Sequence, residues 1–220
     1  LNAEELIEAV VDIIQDDSIE GEEILSYLNL GQLAIANRVL LPGLADGHAT
    51  LSTVLDDFMV SLPTDYHRGL FLAQSDDSIP TVVKTMGDIV TVTGMPLSKD
   101  TGSAVNIVAA QARKFVYQPV PEAGAEVEIF YHRKPIPMTE SNKSFPDGLS
   151  ADSSGNDDAD QALIYYACWR SFAKIEQGLE GAKVDTKYYL GLFEETLEII
   201  DLHSTREGKS YPKPLPNKVW

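Results

Sequence analysis

Apolar residues at the start of the chain recur at helical spacing. Leu6, Ile7, Val10, Ile13 and Ile14 share one side of a 3.6-residue period, which predicts an amphipathic helix. Asn2 followed by Glu5 has the form of a capping box, in which each side chain takes a backbone N–H that the helix start leaves unpaired. Asp16, Asp17 and Ser18 interrupt this pattern and offer a cap for a second helix, expected over about residues 22–40. Ile24, Leu25, Leu28, Ala36 and Val39 form its apolar stripe, and Pro42 and Gly43 end it.

From Ala49 to Pro135 the period changes from helical to short alternating or wholly apolar runs separated by turn residues. Strands are expected at Phe58–Leu62, Thr81–Val83, Ile89–Val92, Asn106–Ala110, Lys114–Gln118 and Glu126–Arg133. The last alternates most regularly, with Val127, Ile129 and Tyr131 set against Glu128, Phe130 and His132. Their spacing predicts a small antiparallel sheet or sandwich. Residues 136–159 are poor in large apolar side chains and read as a polar loop.

Helical pattern resumes from Asp160 to about Gln177, with Leu163, Ile164, Ala167, Trp169, Phe172 and Ile175 apolar. Gly178 and Gly181 mark a break, and a last helix is expected from about Ala182 to Leu202. The segment Ser210–Trp220 carries Pro212, Pro214 and Pro216, so it must be extended. The predicted architecture is α+β. The helix pairs at residues 1–44 and 160–204 form a four-helix bundle, residues 45–159 an inserted antiparallel β domain with its polar loop at 136–159, and residues 205–220 an extended tail.

Charge narrows the function. The 220 residues hold 34 Asp plus Glu against 17 Lys plus Arg, a net charge of -17, with 44% hydrophobic residues. Such a chain can bury a core yet repels phosphate backbones, which argues against general nucleic-acid binding. No apolar run approaches the roughly 20 residues that span a bilayer. No charged-then-apolar leader opens the sequence, so a soluble protein of cytosolic type with no membrane partner is expected. Cys168 is the single cysteine, which rules out an intramolecular disulfide and a multi-thiolate zinc site.

Candidate chemistry is sparse. His48, His67, His132 and His203 never fall at metal-ligand spacing, and neither a phosphate-binding loop nor a G-x-S-x-G nucleophile elbow is present. Asp152, Ser154, Asn156, Asp157, Asp158 and Asp160 invite a calcium reading, but the EF-hand frame would place Asp157 at the turn glycine and Leu163 at the bidentate position. A solvated loop whose last aspartates favour the third helix's dipole is the better account. Cys168, flanked by Ala167 and Trp169, reads as a core residue. Tyr165, Tyr166, Trp169, Phe172, Tyr188, Tyr189 and Phe193 read as helix contacts rather than a stacking platform. The sequence therefore assigns no catalytic residue, cofactor or metal, and predicts that the protein is not an enzyme.

Several stretches, in this order, resemble the head–tail connector, or adaptor, proteins of tailed bacteriophages. Glu23–Asn29, Ile35–Arg38 and Leu40-Leu-Pro-Gly-Leu44 resemble the family's second helix and its following turn. Leu62-Pro-Thr-Asp-Tyr66 resembles the turn after an early strand, Val127–Pro135 the last strand ending in Tyr-x-Arg-x-Pro, and Ala162–Cys168 the start of the third helix. The resemblance implies a four-helix bundle with an inserted β domain and a structural virion protein made in the host cytoplasm. It implies a ring of about twelve copies under the portal, a closed homo-oligomer joining the capsid vertex to the tail and lining the DNA channel. The implied partners are the portal protein, tail or nozzle proteins and further copies of the chain, with genomic DNA passing without specific binding.

The tail is the expected docking segment for the portal or a neighbouring subunit. Tyr211, Pro212, Lys213, Pro214, Leu215, Pro216, Lys218, Val219 and Trp220 combine stiffness, positive charge and apolar side chains with no local partner. A competing reading is a binding module whose β domain recognises a glycan or a protein.

Overall fold

The capping box forms as its residues predict. The Glu5 amide donates to the Asn2 side chain at 3.1 Å and the Asn2 amide donates to the Glu5 carboxylate at 2.8 Å, starting helix α1 at Ala3–Ile14. The structure, a computed structural model, describes residues 1–16, 18–54, 56–75, 79–94, 101–102, 104–121, 124–139, 158–177 and 184–208. It divides into two compact units, one of residues Leu1–Leu44 with Pro135–Trp220, the other of residues Ala45–Lys134.

The first unit is helical. Besides α1 it holds α2 (Gly21–Arg38) and two helices from the end of the chain, Asp158–Ile175 and Val184–Gly208. The Asp158–Ile175 helix packs against the other three and shares one core with them, in which Leu6, Val10, Ile24, Leu28, Ile35, Leu163, Ala167, Cys168 and Ile200 are buried. Gly31 permits the close approach of α2, since a Cβ there would lie 3.1 Å from Leu163 and 3.2 Å from Tyr166. Met138 is buried in the same core, and Asn29 grips its backbone from both sides. Met138 N–H donates to Asn29 Oδ1 at 2.7 Å, and Asn29 Nδ2 donates to the Met138 carbonyl at 3.1 Å.

The second unit is built in layers, with nine strands and one helix among the described residues. The strands are β1 (Gly47–Ser52), β2 (Met59–Ser61), β3 (Tyr66–Ser75), β4 (Thr81–Val83), β5 (Thr101–Gly102), β6 (Ile107–Gln111), β7 (Lys114–Gln118), β8 (Val120–Pro121) and β9 (Glu126–Arg133). The helix, α3, spans Met86–Thr93; the two C-terminal helices of the first unit are accordingly α4 and α5. A three-stranded sheet runs β1-β9-β3, a four-stranded sheet β2-β7-β6-β4, and β5 pairs with β8. Leu51, Ala73, Val127, Ile129 and Tyr131 of the first sheet share a core with Val108, Phe115 and Tyr117 of the second. The opposite face of the four-stranded sheet, with Ile107, Ala109 and Val116, is covered by Ile89 of α3. Burial on both faces explains why β6 and β7 are continuous apolar runs instead of alternating ones.

Several expectations need correction. Ile89–Val92 is helical, not a strand. Thr85 and Asp88 form a second capping box and Gly94 closes the helix with φ 67°, so cap chemistry and the burial of Ile89 outweigh the β-branched composition. Two pairings, β4 with β6 and β5 with β8, are parallel, so the unit is not wholly antiparallel. The longest strand, β3, has no expected counterpart. Register shifts at Tyr66–Leu72 and Gly69 at φ 63° break its alternation, and with it the sequence signal. The acidic break before α2 does not cap it: Glu20 holds the cap position without a side-chain bond, and Asp16 instead accepts from the Ser18 amide at 2.8 Å. α5 continues to Gly208, beyond the end expected near Leu202.

Candidate functional site

Two of the stretches that carry the family resemblance, Leu62–Tyr66 and Val127–Pro135, meet in the layered unit, where they tie strand ends together. The Tyr131 hydroxyl donates to Asp65 Oδ1 at 2.8 Å, and burial together with this carboxylate pushes its pKa up. Lys134 holds the same turn, its amide donating to the Asp65 carbonyl at 2.7 Å and its ammonium to the Thr64 carbonyl at 3.2 Å. Arg133 Nε donates to Asp46 Oδ1 at 2.5 Å, anchoring the segment before β1. The rings of Tyr66 and Tyr131 lie 5.3 Å apart behind this network. A turn bearing Asp65 and a strand end bearing Tyr131, Arg133 and Lys134 thus form one clamp. Its chemistry is that of a fixed joint, since each polar group is spent on another part of the same unit.

The outer face of the β1-β9-β3 sheet is where phenyl and imidazole rings gather. His48 lies on Phe130 with ring centroids 4.8 Å apart, and Phe71, half exposed, meets the edge of His132 at 5.6 Å. His48 Nε2 is 3.9 Å from the Glu128 carboxylate. Burial, reinforced by the charges of Arg68 and His67, holds the His132 imidazole below its ordinary range, so it is the neutral ring that faces Phe71 at neutral pH. Nearby, a cleft of about 320 Å³ is lined by Tyr66, Gly69, Leu70, Val82, Val83, Lys84 and Ala110. Lys84 is the one charged side chain of this lining, which leaves it without an acid–base pair.

The helical unit differs in charge. It carries 23 of the 34 acidic and 10 of the 17 basic side chains, so -13 of the net -17 resides there. Glu4, Glu5, Glu8, Asp12, Glu20 and Glu22 are exposed along α1 and the start of α2. Cations in this region serve as ties between helices. Lys174 reaches Glu23 at 2.6 Å, and Arg38 pairs with Glu194. Lys174 and the Tyr27 hydroxyl hold the Glu23 carboxyl below its usual range.

A family model described as SU10 adaptor protein matches residues 1–215. The chain belongs to this family of phage head–tail adaptors. No curated protein matches it. Membership makes it a structural phage adaptor, a component of the virion that interacts with head and tail components.

As an SU10-family adaptor, the chain uses its apparent chemical groups for packing. Cys168 is fully buried in the helical core, and burial pushes its thiol up to about 12, far from reactive thiolate. Phe172 stacks on Tyr189 at 5.2 Å, and Tyr166 meets both Trp169 and Phe193 edge-on at 5.2 Å, joining α4 to α5. Tyr188 is exposed. Among the described residues no group of three His, Cys, Asp or Glu side chains could hold a metal ion, and no helix is long and apolar enough to cross a membrane. Asp158 and Asp160 stand in the first turn of α4, where they favour its dipole. Asp152, Ser154, Asn156 and Asp157 lie outside the described residues, as do all the expected docking residues from Tyr211 to Trp220. The clamp and the aromatic sheet face were not legible as sites. Their sequence signals were the two family-like stretches Leu62–Tyr66 and Val127–Pro135, which hold the clamp residues, and alternation in β9, which sends Tyr131 inward and Phe130 and His132 outward.

Proposed function

We propose that this adaptor forms a ring of about twelve copies beneath the portal, joins the capsid vertex to the tail and lines part of the DNA channel. The observation that carries the proposal is the family match along nearly the whole chain, which covers both units. In this reading the four long helices act as a bundle that forms the packing unit of the ring. The concentration of -13 in that unit supports a wall from which DNA is repelled, so that the genome slides without sticking. Residues 211–220 supply the docking segment toward the portal or a neighbouring subunit. Native mass measurement of the adaptor with and without its portal protein tests this: a large, defined co-complex is expected, and an adaptor that stays monomeric beside an assembled portal refutes it.

A second reading, in which the layered unit also recognises a glycan or protein at the virion surface, draws on the half-exposed Phe71 and on the His48–Phe130 pair. Such aromatic faces are apt for stacking against apolar or sugar surfaces. Glycan-array binding by the isolated protein supports this reading, and it loses its ground if Phe71→Ser leaves any such binding unchanged.

A further inference from the structure

Helix α5 is apolar on two opposite sides. Phe193, Leu197 and Ile200 are buried in the helical core. Val184, Tyr188, Ile199 and Leu202 lie on the other side, at 62%, 58%, 43% and 57% exposure. Their spacings, with Gly191 between them, return to one stripe at 3.6 residues per turn. A Cβ at Gly191 would meet nothing within 4 Å, so the middle of the stripe is open to a close approach. A helix with a second apolar face is ordinarily covered on both sides.

We propose that the outer face of α5 is the docking surface for the chain's own C-terminal segment, residues 209–220, which folds back antiparallel along the helix in the free subunit. Length, charge and composition all select this occupant. The segment begins where α5 ends, at Gly208, a residue that accepts the backbone reversal. The 25 residues of α5 span about 37 Å at 1.5 Å per residue, and the twelve that follow, extended by their prolines at about 3.1 Å each, span about the same. After a reversal at Lys209 and Ser210, Tyr211 falls beside Leu202 and Trp220 beside Tyr188 and Val184.

Lys209, Lys213 and Lys218 give the segment three positive charges and no acidic side chain. Glu195 and Glu198 are exposed on or beside the middle of the stripe, opposite Lys213 in this register, while Lys187 is the exposed cation beside its Val184 end. Pro212, Pro214 and Pro216 lack backbone donors, so laying the segment on an apolar surface strips fewer N–H groups of water. Their stiffness also lowers the ordering cost. The same segment is then handed to the portal or to a neighbour on assembly, so the strap keeps an assembly surface covered until its partner arrives. The docking described here belongs to the free subunit and does not depend on the portal.

The test uses the full chain with Trp169→Phe, which leaves Trp220 as the one tryptophan. Trp220 should emit at shorter wavelength than in the free peptide 209–220, and its acrylamide quenching should be several-fold lower and unchanged across a dilution series. Tyr188→Asp or Leu202→Asp, at exposed positions, should return quenching to the value of the peptide. As a second readout, Tyr188→Cys with Trp220→Cys should form a monomeric disulfide on mild oxidation, Cys168 being buried and protonated. Quenching equal to the peptide's, protection untouched by both Asp variants, or protection that appears only at high concentration each overturns the proposal; the last would assign the face to a second copy. Loss of portal binding with the strap intact would instead bear on the adaptor reading alone.

Discussion

Ile129→Ala offers a direct measure of how separately the two units hold together. Ile129 is fully buried between the three-stranded and four-stranded sheets, in a core with Val127, Tyr131, Phe115 and Tyr117. The substitution deletes three carbons, worth about 2.4 kcal/mol of transfer free energy at ~0.8 kcal/mol each, and the residual cavity raises the cost to about 3–4 kcal/mol. A unit the size of residues 45–134 has roughly 5–13 kcal/mol of stability, so it stays folded in water but loses a large part of its margin. With an m-value of about 1.2–1.5 kcal/mol/M, its urea midpoint should fall by roughly 2–3 M.

The chain supplies its own reporter for the other unit, since both tryptophans, Trp169 and Trp220, belong to it. Tryptophan emission should keep its wild-type midpoint. Hydrogen exchange in peptides covering β9 should accelerate, while peptides covering α4 should not change. If the tryptophan midpoint moves down with the sheet signal, the two units unfold as one and the separate-core reasoning is wrong.

Asn29→Leu removes both bonds to the Met138 backbone and should cost the helical unit about 2–3 kcal/mol, read as a lower midpoint of tryptophan emission; an unmoved midpoint would show that the grip is not stabilising. The layered unit should weaken in mild acid. The His132 pKa is depressed in the folded state, so the unfolded chain takes up its proton first, and stability is complete above the ordinary imidazole value of about 6.5 and falls as pH drops below it. His132→Gln should flatten that part of the urea-midpoint profile, and an unchanged slope would exclude this histidine as its source. Tyr131→Phe should destabilise the same unit by about 1.5–3 kcal/mol, the range for a hydrogen bond to a charged group, unless the Asp65 contact is dispensable, in which case calorimetry will show no shift. Duplex DNA should show no measurable binding at physiological salt, because α1 and α2 present no Lys or Arg before Arg38; salt-sensitive micromolar binding would contradict the repulsive-wall reading.

What could be read without the structure was local. Asn2 with Glu5, the stripes of α1 and α4, and the alternation of β9 each lie within one element, where the covalent period of helix or strand leaves its mark on the sequence. The strand limits at Lys114–Gln118 and Glu126–Arg133 matched for this reason. Charge was equally legible, because it depends on composition.

Tertiary structure decided whatever joins residues distant in sequence. Only packing shows that Tyr131 reaches Asp65, that Arg133 reaches Asp46, and that Asn29 holds Met138. Bulges hid β3, because each register shift breaks the two-residue period on which a strand is recognised. α3 was missed for the opposite reason: Ile89–Val92 has strand composition, and the caps at Thr85 and Gly94 with the buried Ile89 overrule it. Long-range contacts follow from which apolar faces find each other, and a single chain's linear pattern records that a face is apolar but not what covers it. The outer stripe of α5 is such a face. Its residues are plain in the sequence, and only the fold reveals that the core takes the other side of the helix.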